Sequence, residues 1–125
     1  MNPNIELIKR YLADNDSVSH EELLANSLEA NSAWNNACDA YEDASEAFDN
    51  AVEDGLYAFN VALKFVDDAS YDENAFAHVA NAADAAAKSA GCEIFHCGPD
   101  VSTRKSPSFW IKRYEETINE KAETI

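Results

Sequence analysis

Asp39, Glu42, Asp43, Glu46, Asp49, Glu53 and Asp54 fall within sixteen residues, DAYEDASEAFDNAVED, with no lysine or arginine among them. Their steps of three and four place them along one broad stripe of an α-helix. At a rise of about 1.5 Å per residue the stripe is ~22 Å long, roughly one negative charge per 3 Å. One strand of DNA carries a phosphate every ~3.4 Å of axis. The stripe thus approaches a nucleic-acid backbone in charge density, and its chemistry would be to occupy a basic groove in another protein. The plainer use of such a run is a solvated helix face. An ordinary face gains from opposite charges four apart, whereas Asp39–Asp43, Glu42–Glu46 and Asp49–Glu53 are like-charge pairs that weaken a helix slightly. Retaining that cost points to use.

A second constellation is Cys92, His96 and Cys97. Two thiolates and an imidazole are zinc ligands, and a fourth would have to come from Cys38, His78 or His20. The spacing is not that of a finger pair, so buried thiols beside a loop histidine are the expected state, with no metal and no cofactor. No glycine-rich oxyanion turn accompanies the cysteines, and a di-metal bundle would want Glu-x-x-His on each of two helices, whereas the sequence has it once, at Glu93–His96 in the expected loop. Nothing marks one carboxylate pair as acid and base, so catalytic residues are absent from the expectation and the protein is read as a non-enzyme.

The elements that must position these groups are helical. Glycine occurs only at 55, 91 and 98 and proline only at 3, 99 and 107, in a chain rich in Ala and Glu. Pro3 suits a first helical position, with Ile5, Ile8 and Leu12 on one face and an end near Ala13–Asp16. Ser19 and Glu22 form a capping box that opens a second helix. In it Trp34, Tyr41 and Phe48 are seven apart, and Cys38, Ser45, Val52, Phe59 and Val66 make a parallel row. Because the apolar seam continues past Gly55, the expectation is one long acidic helix over about 20–67, kinked at Asp54–Gly55. The alternative is a helical hairpin turning there. Ser70 and Glu73 repeat the capping signature, so a further helix is expected to run from there to Ala90, with Gly91 just past its end. An irregular loop follows at about 91–107, and Ser106–Pro107 opens a last helix bearing Trp110, Tyr114 and Ile118. The fold class is therefore all-α, a single small helical bundle over 1–125. The seam of Trp34, Tyr41, Phe48, Val52, Phe59 and Val66 is long for such a bundle to cover, so a homo-oligomer is expected.

The formal charge is −15, and its placement matters more than its size. From Asp14 to Ala87 there are 17 acidic residues against Lys64 alone, while the two ends are close to neutral. Bare nucleic acid and anionic membranes are poor partners for that surface, and a basic protein suits it. The three cysteines, the lack of a signal-peptide pattern and the lack of an apolar run of about 20 residues lead to a soluble, reducing, cytoplasmic setting.

The opening IKRYLADNDSVSHEELLANS and the closing FWIKRYEETINE flank a centre rich in Ala, Asp and Asn. In this the chain resembles small acidic, Ala-rich accessory proteins of tailed bacteriophages. The likeness covers the ends and the composition, and no functional residue transfers with it. By chemical analogy the acidic helical surface is similar to phage DNA-mimic inhibitors. That implies an acidic binding protein, acting in the host cytoplasm in counter-defence or host takeover, that inhibits a basic nucleic-acid-handling host protein. The alternatives are a scaffolding helical oligomer whose acidity serves solubility and, third, a metal-binding module.

Overall fold

The computed structural model describes residues 2–51, 55–93, 99 and 105–124, and the side chains of these except at 56–58 and 121–124. All regular structure among them is helical: α1 (Pro3–Ala13), a single 3₁₀ turn at Asn15–Ser17, α2 (His20–Ala51), α3 (Leu56–Ser89) and α4 (Pro107–Thr124). The chain is an all-α bundle, as its composition requires.

The helix ends are set by local chemistry. Asn2 Oδ1 accepts from the Asn4 and Ile5 amides ahead of Pro3. The Ser19–Glu22 capping box forms reciprocally: the Glu22 amide donates to Ser19 Oγ at 3.1 Å and the Ser19 amide to Glu22 Oε1 at 3.2 Å. At the end of α3 the Gly91 amide bonds Lys88 O and the Cys92 amide bonds Ala87 O, a Schellman closure that places Gly91 at φ 88°. Ser106 Oγ caps α4 through the Phe109 amide.

The continuous helix over 20–67 does not form. α2 ends at Ala51, Gly55 takes φ 110°, and α3 starts at Leu56 and packs back along α2. Phe48 meets Phe59 with ring centroids 5.1 Å apart, and Ser27 bonds Asp84, so the two helices run antiparallel. Only a residue without a Cβ enters the positive-φ region of Gly55 cheaply. The heptad row misled because an antiparallel hairpin keeps the same seven-residue repeat on both of its facing helices. The second helix start at Ser70 also fails, since α3 runs unbroken through it. No Gly or Pro lies between Leu56 and Ser70, and continuing the helix keeps Ala69 and Phe76 turned toward α2.

The core sits at one end of this hairpin. Residues 79–87 of α3 are buried on every side, enclosed by α1, α2 and α4. Ala80, Ala82, Ala83, Ala85, Ala86 and Ala87 carry so little side chain that three helices can close around the fourth, and Ile5, Ile8, Leu23, Val79, Trp110 and Ile111 fill the remaining space. Asp84 lies within this shell at 4% exposure. Its Oδ1 accepts from Ser27 Oγ at 2.5 Å and from Asn31 Nδ2 at 2.9 Å, so a polar anchor fixes the register of α3 on α2. The ion pairs Lys9–Glu115 and Arg10–Glu22 are surface contacts at the same end. Beyond this base the rest of α2 and the first half of α3 form a two-helix arm.

Candidate binding surface on the hairpin arm

The arm brings together the acids of two helices. On α2, Asp39, Glu42, Asp43, Glu46 and Asp49 are all exposed, and on α3 so are Asp67, Asp68 and Asp72, with Glu73 half-buried. Lys64 is the one cation beside these nine carboxylates among the described residues of the arm. Neither of the two described ion pairs involves an arm acid. Glu53 and Asp54, expected to extend the stripe, lie outside the described residues.

The field of these groups registers on the one thiol among them. Burial pushes the Cys38 thiol up, and Glu73, Asp39 and Glu42 push it the same way, Glu73 also accepting its hydrogen bond. Each of these effects disfavours a second anion, so Cys38 is held as the neutral thiol.

The interface between the arm helices has two edges. Along one edge run Trp34, Tyr41 and Phe48 of α2 with Phe59 and Val66 of α3, every one half-buried. This is the row assigned to an oligomer seam. Part of what covers it is the chain itself, as the Phe48–Phe59 contact shows, and Val52 lies outside the described residues. Along the other edge Ala33, Ala37, Ala40, Ala44 and Ala47 alternate at four and three residues and form the floor of an open groove. The wall from α3 is Phe65, Ala69 and Phe76. Asp43 on one side and Asp68 and Asp72 on the other stand among its lining residues, and its volume is 680 Å³. Phe65 is 62% exposed, the most exposed large apolar side chain described. Sequence reasoning missed this groove. The alanine register was its signal, but nothing in one helix reveals how far its partner stands off.

The Cys92, His96, Cys97 constellation is not assembled among the described residues. Cys92 is half-buried, with its Sγ 3.7 Å from the His20 carbonyl, while His96 and Cys97 lie outside the described residues. No group of three or more potential metal ligands occurs among those described. His78 instead stacks on Trp110, with centroids 6.1 Å apart. Burial lowers its pKa, and the nearby Arg113 lowers it further. Lys105, just before α4, and Arg113, within it, lie over the Phe109 ring at 5.2 and 6.0 Å. No described helix is long and apolar enough to cross a membrane.

No family model matches this chain, and no curated protein or solved structure matches it either, so the arm's own geometry carries the functional reading.

Proposed function

We propose that the protein is a non-enzymatic acidic binding protein, phage-encoded and acting in the host cytoplasm, whose arm occupies the basic cleft of a nucleic-acid-handling host protein and inhibits it. The observation that supports this reading is the outer face of α2. Asp39, Glu42, Asp43, Glu46 and Asp49 are exposed and in no salt bridge among the described residues, on a helix that leaves the bundle. They occupy ~15 Å of helix at a mean spacing of about 4 Å, comparable to that of phosphates along one DNA strand. A basic cleft shaped for phosphates meets a comparable charge track there, on a backbone that the helix has already ordered.

Retrieval of partners from host lysate on the immobilised full chain tests this. Charge-led capture releases a basic nucleic-acid-binding protein as salt rises, because exposed charges are screened beyond ~8 Å at physiological ionic strength. Added nucleic acid competes for the same cleft. A partner that is retained in high salt and is indifferent to nucleic acid contradicts the mimic.

A second reading, a scaffolding homo-oligomer, draws on the half-buried row of Trp34, Tyr41, Phe48, Phe59 and Val66 and on the outlying Phe65. Sedimentation distinguishes it: a scaffold assembles at tens of micromolar, about the range where weak association shows.

A further inference from the structure

The acidic stripe and the groove adjoin and share Asp43, and the groove has requirements of its own. Its floor is the alanine row of α2, continuous from Ala33 to Ala47, which is ~21 Å or about four helical turns. Its wall is aromatic, with Phe76 toward the base and Phe65 toward the tip. Carboxylates stand on both helices that border it, Asp43 on one and Asp68 and Asp72 on the other. Alanine on the floor lets a backbone approach closely, and a helix laid between two others finds apolar contact along its whole underside. A second copy of this chain is a poor occupant, since it brings its own nine arm carboxylates and one lysine against the same rims.

We infer that the groove is the docking site for a cationic amphipathic helix of the partner, about four turns long, with a small apolar stripe and Lys or Arg on both flanks. This rests on the reading of the arm as an acidic binding surface and adds to it a site and a partner element. The apolar stripe covers Ala37, Ala40, Ala44 and Phe65, and the flanking cations meet Asp43, Asp68 and Asp72. The outer stripe then steers the encounter, and the groove sets residence and specificity.

The test titrates the full chain with three synthetic peptides of about 18 residues, long enough to fill the groove. One is a Leu/Ala-striped helix flanked by lysines. One has the same composition scrambled so that no apolar stripe forms. One keeps the stripe but carries glutamine for lysine. Calorimetry gives affinity, and circular dichroism gives the helix gained by the peptide. The striped cationic peptide is expected to bind about tenfold more tightly than either control and to become helical on binding. Phe65→Ser and Ala40→Trp change exposed positions, so the fold tolerates them, and each is expected to weaken that peptide about fivefold or more. Glu42→Gln with Glu46→Gln, on the outer face, is expected to change it less than about twofold at physiological salt.

Equal binding of striped and scrambled cationic peptides overturns the groove and leaves the charged arm standing. Equal binding of the lysine and glutamine peptides overturns the demand for a cationic partner. Failure of every peptide overturns the groove, while the lysate experiment judges the acidic surface separately. Self-association abolished by Phe65→Ser gives the groove to a second copy and overturns the inference.

Discussion

The base of the hairpin and its arm are made of the same two helices and much the same residues, yet they are opposite in construction. At the base, alanines of α3 are enclosed by three helices, a buried carboxyl is answered by Ser27 and Asn31, and charges pair as Lys9–Glu115 and Arg10–Glu22. On the arm, alanines of α2 floor an open groove, Phe65 stands in solvent and nine carboxylates face one lysine. The base encloses its alanines and answers its buried carboxyl from within the fold. The arm leaves both kinds unmatched over the same stretch, which is what a surface prepared for another molecule requires. Alanine illustrates the contrast: surrounded, it permits close packing, and on one open side it makes a place to dock.

The largest difference between the regions should appear in stability. Ala86 is 0% exposed, so Ala86→Leu overpacks the base and is expected to cost about 3 kcal/mol. The same change at the exposed Ala40 is expected to stay within about 0.5 kcal/mol. Chemical denaturation of the two variants measures this directly, and equal costs would mean that the arm is packed as the base is.

How much of this contrast could be read from the chain depends on the element. Helix starts and stops set by nearby residues, such as Pro3, Ser19–Glu22, Gly91 and Ser106–Pro107, act locally and were legible, while the Asn2 cap ahead of Pro3 was not read. The turn was harder, because a heptad row belongs equally to one long helix and to two that face each other, and because Ser70–Glu73 has the form of a cap without a breaker before it. Exposure of the acids was legible from the absence of intervening bases. Asp84 was not separable from them by charge, although it sits in an alanine run and is buried. The groove depends on the standoff between two helices, which no single-helix pattern encodes.

A smaller effect concerns charge on the arm. Neutralising Glu42 and Asp43 as Glu42→Gln/Asp43→Asn removes repulsion with Glu46 and Asp39, and the helix is expected to gain about 0.5 kcal/mol. The gain should shrink in high salt, where the wild-type repulsion is already screened. A loss of stability instead would mean that these carboxylates make internal contacts.

The smallest effect belongs to the base. The folded chain holds His78 below its ordinary value of 6.5, chiefly by burial and then by Arg113. The neutral ring is therefore the form that folding favours. As pH falls below about 6.5 the unfolded chain binds a proton that the folded ring resists, so stability drops through that window, until the lowered folded pKa is reached. Comparing melting temperatures of wild type and His78→Gln between about pH 7.5 and 5.5 isolates this contribution from the carboxylates they share. The variant is expected to lose less on acidification, and parallel curves would count against the assignment.

The contrast between base and arm matters for function only if a partner uses the arm. The most direct measurement is the affinity of the protein recovered from host lysate for a variant carrying Asp39→Asn, Glu42→Gln, Glu46→Gln and Asp49→Asn, at about 0.15 M salt. These four positions are exposed on the outer face of α2, so circular dichroism should be unchanged. Affinity lower than wild type by about tenfold or more, with the difference closing as salt rises, is the predicted result. Unaltered affinity with an intact helix would mean that the stripe is only a solvated face, and would contradict the account.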